Sequence, residues 1–477
     1  MTHLNKAQYL TGQFCPRALY LDVRQPPEDV DAAMQLRFDE GRQVGERARA
    51  GFPGGILVTE VVHAEAVKTT RKFMADPGVP AIFEGAFEHG GLRVRADILV
   101  RRGEGWNLIE VKSAASAREV HLEDVALTRC VIASSGWPVV SCALRLIDRG
   151  FRLGMPIEAF FVDHDVTQET VLDPGETEGR VRALLDALEQ SSPPRVPTGL
   201  HCRNCGHYDK CLPDRHILSL PNLREKKFEE LCALKVERID QIPDRFSLTA
   251  VQRRMRDALR TGMPQADPGL ADALNQVAYP LFFLDFESMQ TAWPLHRDTA
   301  PYEQIPTQYS IHVVPTPGSP AAHREFLHED PTDPRQTLAE KLLEDLGDQG
   351  SVVVYSVFEK RILSGLAVWF PDLAPALENL IDRLYDLCAV IRNHFYHPDF
   401  GGSFSIKQSL PAVAPDLGYD DLPISDGMTA LAAYREMIAP GTSAGRKQEI
   451  ARDLRAYCER DSLAMVRLYE ALCRMVG

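Results

Sequence analysis

Pro280-Leu-Phe-Phe-Leu-Asp-Phe-Glu-Ser288 is an apolar run that ends in two acids one residue apart. A run of this length and character predicts a buried strand. Residues i and i+2 of a strand point to one face, so Asp285 and Glu287 present two carboxylates side by side. Like charges there repel, and burying them is costly. A divalent cation removes the conflict, because hard cations take oxygen ligands. The plainer alternative is a strand that runs out into solvent with two unrelated surface acids.

Residues downstream add to the pair. Gln308 lies in a second predicted strand, Pro301 to Val314. Ser351-Val-Val-Val-Tyr355 reads as a central strand, and Glu359 falls in the first turn of the helix that follows. An acid there is also explained by the helix dipole alone. Asp386, in Leu-Tyr-Asp-Leu-Cys, competes with Glu359 as a third acid. Phe404-Ser-Ile-Lys407 suits a turn into a helix, with Lys407 on a substrate phosphate or simply in solvent. A long helix is predicted from about Glu449. In it Tyr457 and Asp461 are four apart and share a face. Such a Tyr can hold an attacking water while the Asp holds metal; an exposed polar pair is the alternative.

Upstream, residues 81–112 alternate in polarity and are broken by His89-Gly-Gly and Arg101-Arg-Gly-Glu-Gly105, which predicts a three-stranded meander. Asp97 and Glu110 lie on adjacent strands, and Glu110 and Lys112 share one strand face. Acids inside apolar strands are expensive. Two carboxylates and an ammonium together can hold Mg²⁺ or Mn²⁺ and activate or orient water. A cross-strand ion pair is the competing explanation. Glu46, in a predicted helix over residues 37–51, is either a further ligand or a surface residue.

The chain has ten Cys. Six read as small core residues. Cys202, Cys205 and Cys211 have C-x₂-C-x₅-C spacing, which points to a metal or an Fe–S cluster in a reducing compartment. Cys15 can supply a fourth ligand. Zinc held by the three Cys with His201 or His207 is the alternative.

Length bounds the rest. The chain has 477 residues, enough for two to four domains, and 44% are hydrophobic and 25% charged, as in ordinary globular proteins. A net charge of −14 argues against a broad basic surface for nucleic acid but not against one local groove. No apolar run is long enough to cross a membrane. With no charged-then-apolar leader at the N-terminus, a cytoplasmic location is expected.

Asp97 followed by Glu110-x-Lys112 resembles the PD-(D/E)XK nuclease motif in its RecB-like branch, which includes CRISPR-associated exonucleases. The likeness spans about residues 5–215. It implies metal ligation by Asp97, Glu110 and Glu46, with Lys112 assisting. It also implies a 4Fe–4S cluster on Cys15, Cys202, Cys205 and Cys211 that clasps the two ends of the domain. The branch often has Gln-x-x-x-Tyr in the helix after the Lys; here Thr128 and Ala133 stand instead, so that DNA contact is altered. Asp285, Glu287, Glu359, Tyr457 and Asp461 resemble the DEDD, DnaQ/RNase H-like exonucleases of the Tyr subclass, with Glu359 where Asp is usual. Taken whole, the chain resembles an uncharacterised bacterial family that fuses the two.

The expected fold is α/β: a PD-(D/E)XK restriction-endonuclease-like domain over 1–215, a helical connector over 216–279, and an RNase H-like domain with a mixed sheet over 280–477. The expected activity is a metal-dependent exonuclease with two sites, acting by two-metal phosphodiester hydrolysis on single-stranded DNA or DNA ends in repair or defence. Asp285, Glu287, Glu359 and Asp461 would ligate metal in the second site, with Tyr457 placing water and Gln308 and Lys407 contacting substrate. The alternatives are that one domain, the N-terminal one first, only binds nucleic acid, or that the whole is a non-catalytic scaffold carrying a cluster.

Overall fold

The computed structural model describes residues 2–26 and 32–476. The protein is α/β, with mixed sheets and many helices. It divides into two compact units: Met1–Thr198 with Thr291–Glu303, and Gly199–Gln290 with Gln304–Gly477.

The first unit is built on a seven-stranded sheet. Its centre is the predicted meander: β1 (Ala81–His89), β2 (Leu92–Arg102) and β3 (Gly105–Val111), paired antiparallel. The tight turns come from Gly90, Gly91 and Gly103, all at positive φ, where a side chain would be strained. β4 (Val139–Ile147) adds in parallel to β3 and β5 (Phe161–Asp165) adds antiparallel to β4. Three helices flank the site: α1 (Lys6–Phe14), α2 (Ala32–Arg49) and α3 (Glu119–Ser134). α1 is fixed at its start by a capping box in which Asn5 and Gln8 exchange side-chain and backbone bonds. α3 is the crossover between β3 and β4, and its Val125, Leu127, Val131 and Ile132 join the core with Leu99, Trp106, Leu108 and Leu144. Residues 291–303 complete this unit. Trp293 packs on Phe151 and Phe160, with ring centroids 5.4 and 5.0 Å apart.

The second unit is built on a five-stranded mixed sheet. Its strands are β6 (Leu281–Met289), β7 (Ile305–Val314), β8 (Ala322–Leu327), β9 (Ser351–Val354) and β10 (Leu384–Asp386). The order is β8-β7-β6-β9-β10. β6, β7 and β8 are antiparallel neighbours, whereas β9 runs parallel to β6 and β10 parallel to β9. β6 is central and covered on both faces, which is why it reads as a continuous apolar run. Phe282, Leu284 and Phe286 pack with Tyr309, Ile311, Leu338, Leu342 and Leu363. Leu281 and Phe283 face the opposite way, into a core with Val466 and Tyr469. Four helices matter to the site: α4 (Phe358–Trp369), α5 (Ile406–Val413), α6 (Gly427–Ile438) and α7 (Ala444–Val476). α7 starts before the predicted Glu449 and buries one stripe against the sheet: Leu454, Tyr457, Cys458, Asp461, Ser462 and Met465.

The division differs from the expected one in two respects. Residues 199–215 belong to the second unit. The helices expected as a connector over 216–279 are not a spacer: Leu218, Phe228, Leu231, Ile239, Met255 and Leu259 share one core with Phe283 and α7. Their apolar positions repeat at helical spacing, and such a stripe needs a partner.

Candidate metal centre

In the second unit the register of the sheet sets the site. Asp285 pairs with Ser310 and Glu287 with Gln308, so all four side chains share the face that α7 covers. Asp461 comes down from α7. One carboxylate oxygen from each of Asp285, Glu287 and Asp461 lies within 4.8 Å of the others. Asp461 is buried, and Asp285 and Glu287 are half-buried.

Burial pushes all three carboxyls above the usual range. Asp285 is driven well up by desolvation and by the charges of Asp461, Glu287 and Glu359. Glu287 is pushed up to about 8 by burial and Asp461, against the opposing pull of Lys407. Burial raises Asp461 as well, although Tyr419, Lys407 and Tyr457 favour its ionised form. Three carboxyls that cannot all ionise together are the donor set that a hard dication relieves. On that chemistry the residues fit Mg²⁺ or Mn²⁺.

The surroundings fix the ligands. Cys458 Sγ lies 3.5 Å from Asp285 Oδ2. The Tyr419 hydroxyl donates to Asp461 Oδ1. Lys407 Nζ donates to the Tyr457 hydroxyl at 2.9 Å and to the Ser425 carbonyl at 2.6 Å. It stands 4.8 and 5.4 Å from the ring centres of Tyr457 and Tyr419, within cation–π range. The Tyr457 hydroxyl accepts from Lys407 and turns its own proton to Asp461, whose ionised form it favours. Next to Asp461, the Ser462 hydroxyl bonds Ser310 Oγ at 2.7 Å and His312 Nδ1 at 2.8 Å, tying α7 to β7 beneath the acids. α6 begins beside Glu287: a Cβ on Gly427 would lie 4.0 Å from Glu287 Oε2.

Glu359 sits in the first turn of α4, as the sequence suggests, and is 3% exposed. It is not one of the three clustered acids. It accepts from Ser356 Oγ at 3.3 Å, and burial lifts it to about 7, with Asp386 adding to the rise. Asp386 is committed to capping the helix Leu387–His394 through Ala389 N. Gln308 is not at a substrate surface. It is buried and its Nε2 donates to the Leu454 carbonyl at 3.1 Å, bracing β7 against α7. Lys407 is half-buried and engaged by Tyr457 rather than open for a phosphate.

In the first unit Ile98 pairs with Ile109, so Asp97 and Glu110 are the next residues along adjacent strands. Asp97 Oδ2 accepts from Val111 N at 2.8 Å. Burial and Glu110 raise Asp97 to about 7, while Lys6 and Lys112 pull the other way. For Glu110 burial is outweighed by Lys6 and Lys112, which hold it at about 2. Lys112 is held up at about 12 by Glu110 and Asp124 despite its burial. Glu46 does not join this group. It is exposed on α2, while its neighbours Gly45 and Arg49 line a cavity of about 260 Å³ with Asp97, Glu84 and Ser113. The acid that approaches on that side is Glu84, at φ +57 between the Phe83–Ile98 and Gly85–Ala96 pairs of β1 and β2, and paired with Arg49 at 3.1 Å. Lys6 and Asp124 were not foreseen as members, nor were Tyr419 and Cys458 in the second unit. Lys6 and Tyr419 come from segments distant in sequence from their partners, and none of the four carries a motif of its own.

Cys15 belongs to the first unit, buried at the start of the helix Pro16–Arg24. Cys202, Cys205 and Cys211 belong to the second, on two short helical turns, Leu200–Asn204 and Tyr208–Cys211, and the bend between them. Cys205 Sγ accepts from His207 N at 3.5 Å.

Residues 282–405 match a family described as "Domain of unknown function (DUF2779)". That span holds Asp285, Glu287 and Glu359 and stops before Lys407, Tyr457 and Asp461. No curated protein matches the chain. Among solved structures, "Crystal structure of SSO0001" is similar at 13% identity, covering 44% of this chain and 86% of that chain with a TM-score of 0.24. A score that low carries no argument. No helix among the described residues is long and apolar enough to cross a membrane.

Proposed function

We propose that the protein is a metal-dependent nuclease that hydrolyses phosphodiester bonds at the Asp285–Glu287–Asp461 centre, with single-stranded DNA or DNA ends as substrate. The observation that carries this reading is the convergence of the three carboxylates within 4.8 Å, beside a tyrosine that a lysine orients. The mixed sheet with this strand order agrees with an RNase H-like domain of the DEDD type, and the α7 stripe brings Tyr457 and Asp461 to it together. Asp285, Glu287 and Asp461 would hold Mg²⁺ or Mn²⁺, with Glu359 near enough to add charge. A cation there would supply Lewis acidity and lower the pKa of water. Tyr457, held between Lys407 and Asp461, sets its hydroxyl beside the acids, where it would position the attacking water. Lys407 also keeps a positive charge beside Glu287 and Asp461, favouring their ionised, ligating forms.

A second reading keeps a nuclease site in the first unit, of the PD-(D/E)XK type. The juxtaposition of Asp97, Glu110 and Lys112 favours it. The three-cysteine segment is proposed to bind an Fe–S cluster or zinc on its spacing. Iron and zinc analysis of the purified protein separates these.

The deciding experiment is cleavage of end-labelled single strands with Mn²⁺. Asp285→Ala is expected to abolish it and Lys112→Ala to leave it. Loss in both variants supports two active sites. Undiminished cleavage in both removes the two-site reading.

A further inference from the structure

Lys6 was not marked by any motif, yet it enters the centre of the first unit from the start of α1. Its Nζ lies 2.8 Å from Glu110 Oε1 and 2.7 Å from Asp124 Oδ1. Lys112 Nζ lies 2.9 Å from the same Glu110 oxygen and also pairs with Asp124 Oδ2. Two ammonium groups and two carboxylates close a ring of alternating charge. The ring is largely out of water: the side chains of Glu110 and Asp124 are 1% and 10% exposed, and those of Lys6 and Lys112 are 20% and 21%. Charges in such a place are held only when paired, and here each carboxylate has two cations and each cation two carboxylates. Glu110 Oε2, the other oxygen, is buried without a hydrogen-bond partner among the described residues. That oxygen could take a ligand, but a dication near it would also face two ammonium groups.

We propose that Lys6 is a built-in cation that neutralises Glu110 and Asp124 in place of a metal, so that the first unit takes no Mg²⁺ or Mn²⁺ while Lys6 is seated. Withdrawing its charge leaves Glu110 and Asp124, with Asp97 on the neighbouring strand, facing one lysine, which is a site for a dication. α1 is thereby a strap. Its capping box begins at Asn5, whose strand pairs with β2 at Arg93, and β2 is the neighbour of β3, which carries Glu110. This inference stands on the first unit alone and does not depend on the reading of the second.

Mn²⁺ binding to the full-length chain, followed by electron paramagnetic resonance of the free ion, tests it. Asp285→Asn serves as background, to empty the second unit. The double variant Asp285→Asn/Lys6→Met is expected to gain one Mn²⁺ per chain, lost again when Glu110→Gln is added. Lys6→Arg, which keeps the charge, is expected to gain none. Mn²⁺ bound with Lys6 in place and abolished by Glu110→Gln overturns the inference, as does a folded Lys6→Met variant that gains no ion. If Lys6→Met does not fold, the Glu110→Gln comparison with Lys6 present decides alone: no Glu110-dependent Mn²⁺ supports the inference. Mn²⁺ that survives Glu110→Gln belongs elsewhere, and bears on the reading of the second unit only.

Discussion

Asp285, Glu287 and Asp461 compete with one another for ionisation, and that competition has a measurable pH dependence. Glu287 has an ordinary value of 4.5 and stands at about 8 in the fold. Between those values the folded state keeps a proton that the unfolded state has released. In chelator, stability therefore falls as pH rises from about 4.5 to about 8, and the penalty is complete above that window. A dication reverses the sign, because it must displace the proton. Mn²⁺ affinity measured by calorimetry is expected to rise with pH through the same window, and Glu287→Gln to flatten the rise. Lys407 acts on the same acids through Tyr457. Lys407→Met is expected to slow cleavage by about 10- to 100-fold, the usual effect of losing a residue that orients the active groups. In a Tyr457→Phe background the same change should cost much less, since the pair acts as a unit. Equal costs in both backgrounds would count against that coupling.

At the scale of elements, the site depends on β6 and β9 lying side by side. Gly350 precedes β9 at φ +87, and a Cβ there would fall 2.1 Å from the Pro280 carbonyl oxygen, just before β6. Both the conformation and the approach demand glycine. Gly350→Ala is expected to lower stability by about 2 kcal/mol in urea unfolding, the size of a strained backbone position. It should also weaken Mn²⁺ binding, because Asp285 and Glu359 follow from these two strands. An unchanged urea midpoint would show that the turn can relax. α7 is the other determinant. Its apolar stripe was legible as a helix, but that Tyr457, Cys458, Asp461 and Ser462 fall within the stripe follows from which side meets β7.

At the scale of the molecule, a net charge of −14 and an acidic centre both oppose a polyanion. Nucleic-acid binding should then require the cation. With Ca²⁺ as a metal that holds without hydrolysis, single-stranded DNA is expected to bind at least about tenfold more tightly than in chelator, a difference of about 1.4 kcal/mol. Fluorescence anisotropy checks this, and affinity unaffected by chelator would place binding away from the acids. By itself the sequence determined the meander of residues 81–112, the Asp285–Glu287 strand, Glu359 in its first turn and the helix that bears Tyr457 and Asp461. These are local: period-two alternation, Gly-rich turns and apolar stripes carry them within a few residues. Only the tertiary structure decided which charges meet. It drew Lys6 and Asp124 onto Glu110 and Tyr419 onto Asp461, left Glu46 exposed, turned Gln308 into a brace and folded residues 216–279 into a core. Those outcomes depend on contacts between segments far apart in the chain, such as Lys6 with Glu110, separated by 104 positions, and Gln308 with Leu454, separated by 146. No local pattern encodes them, because the energy of a buried charge is set by its partners and not by its neighbours in the chain.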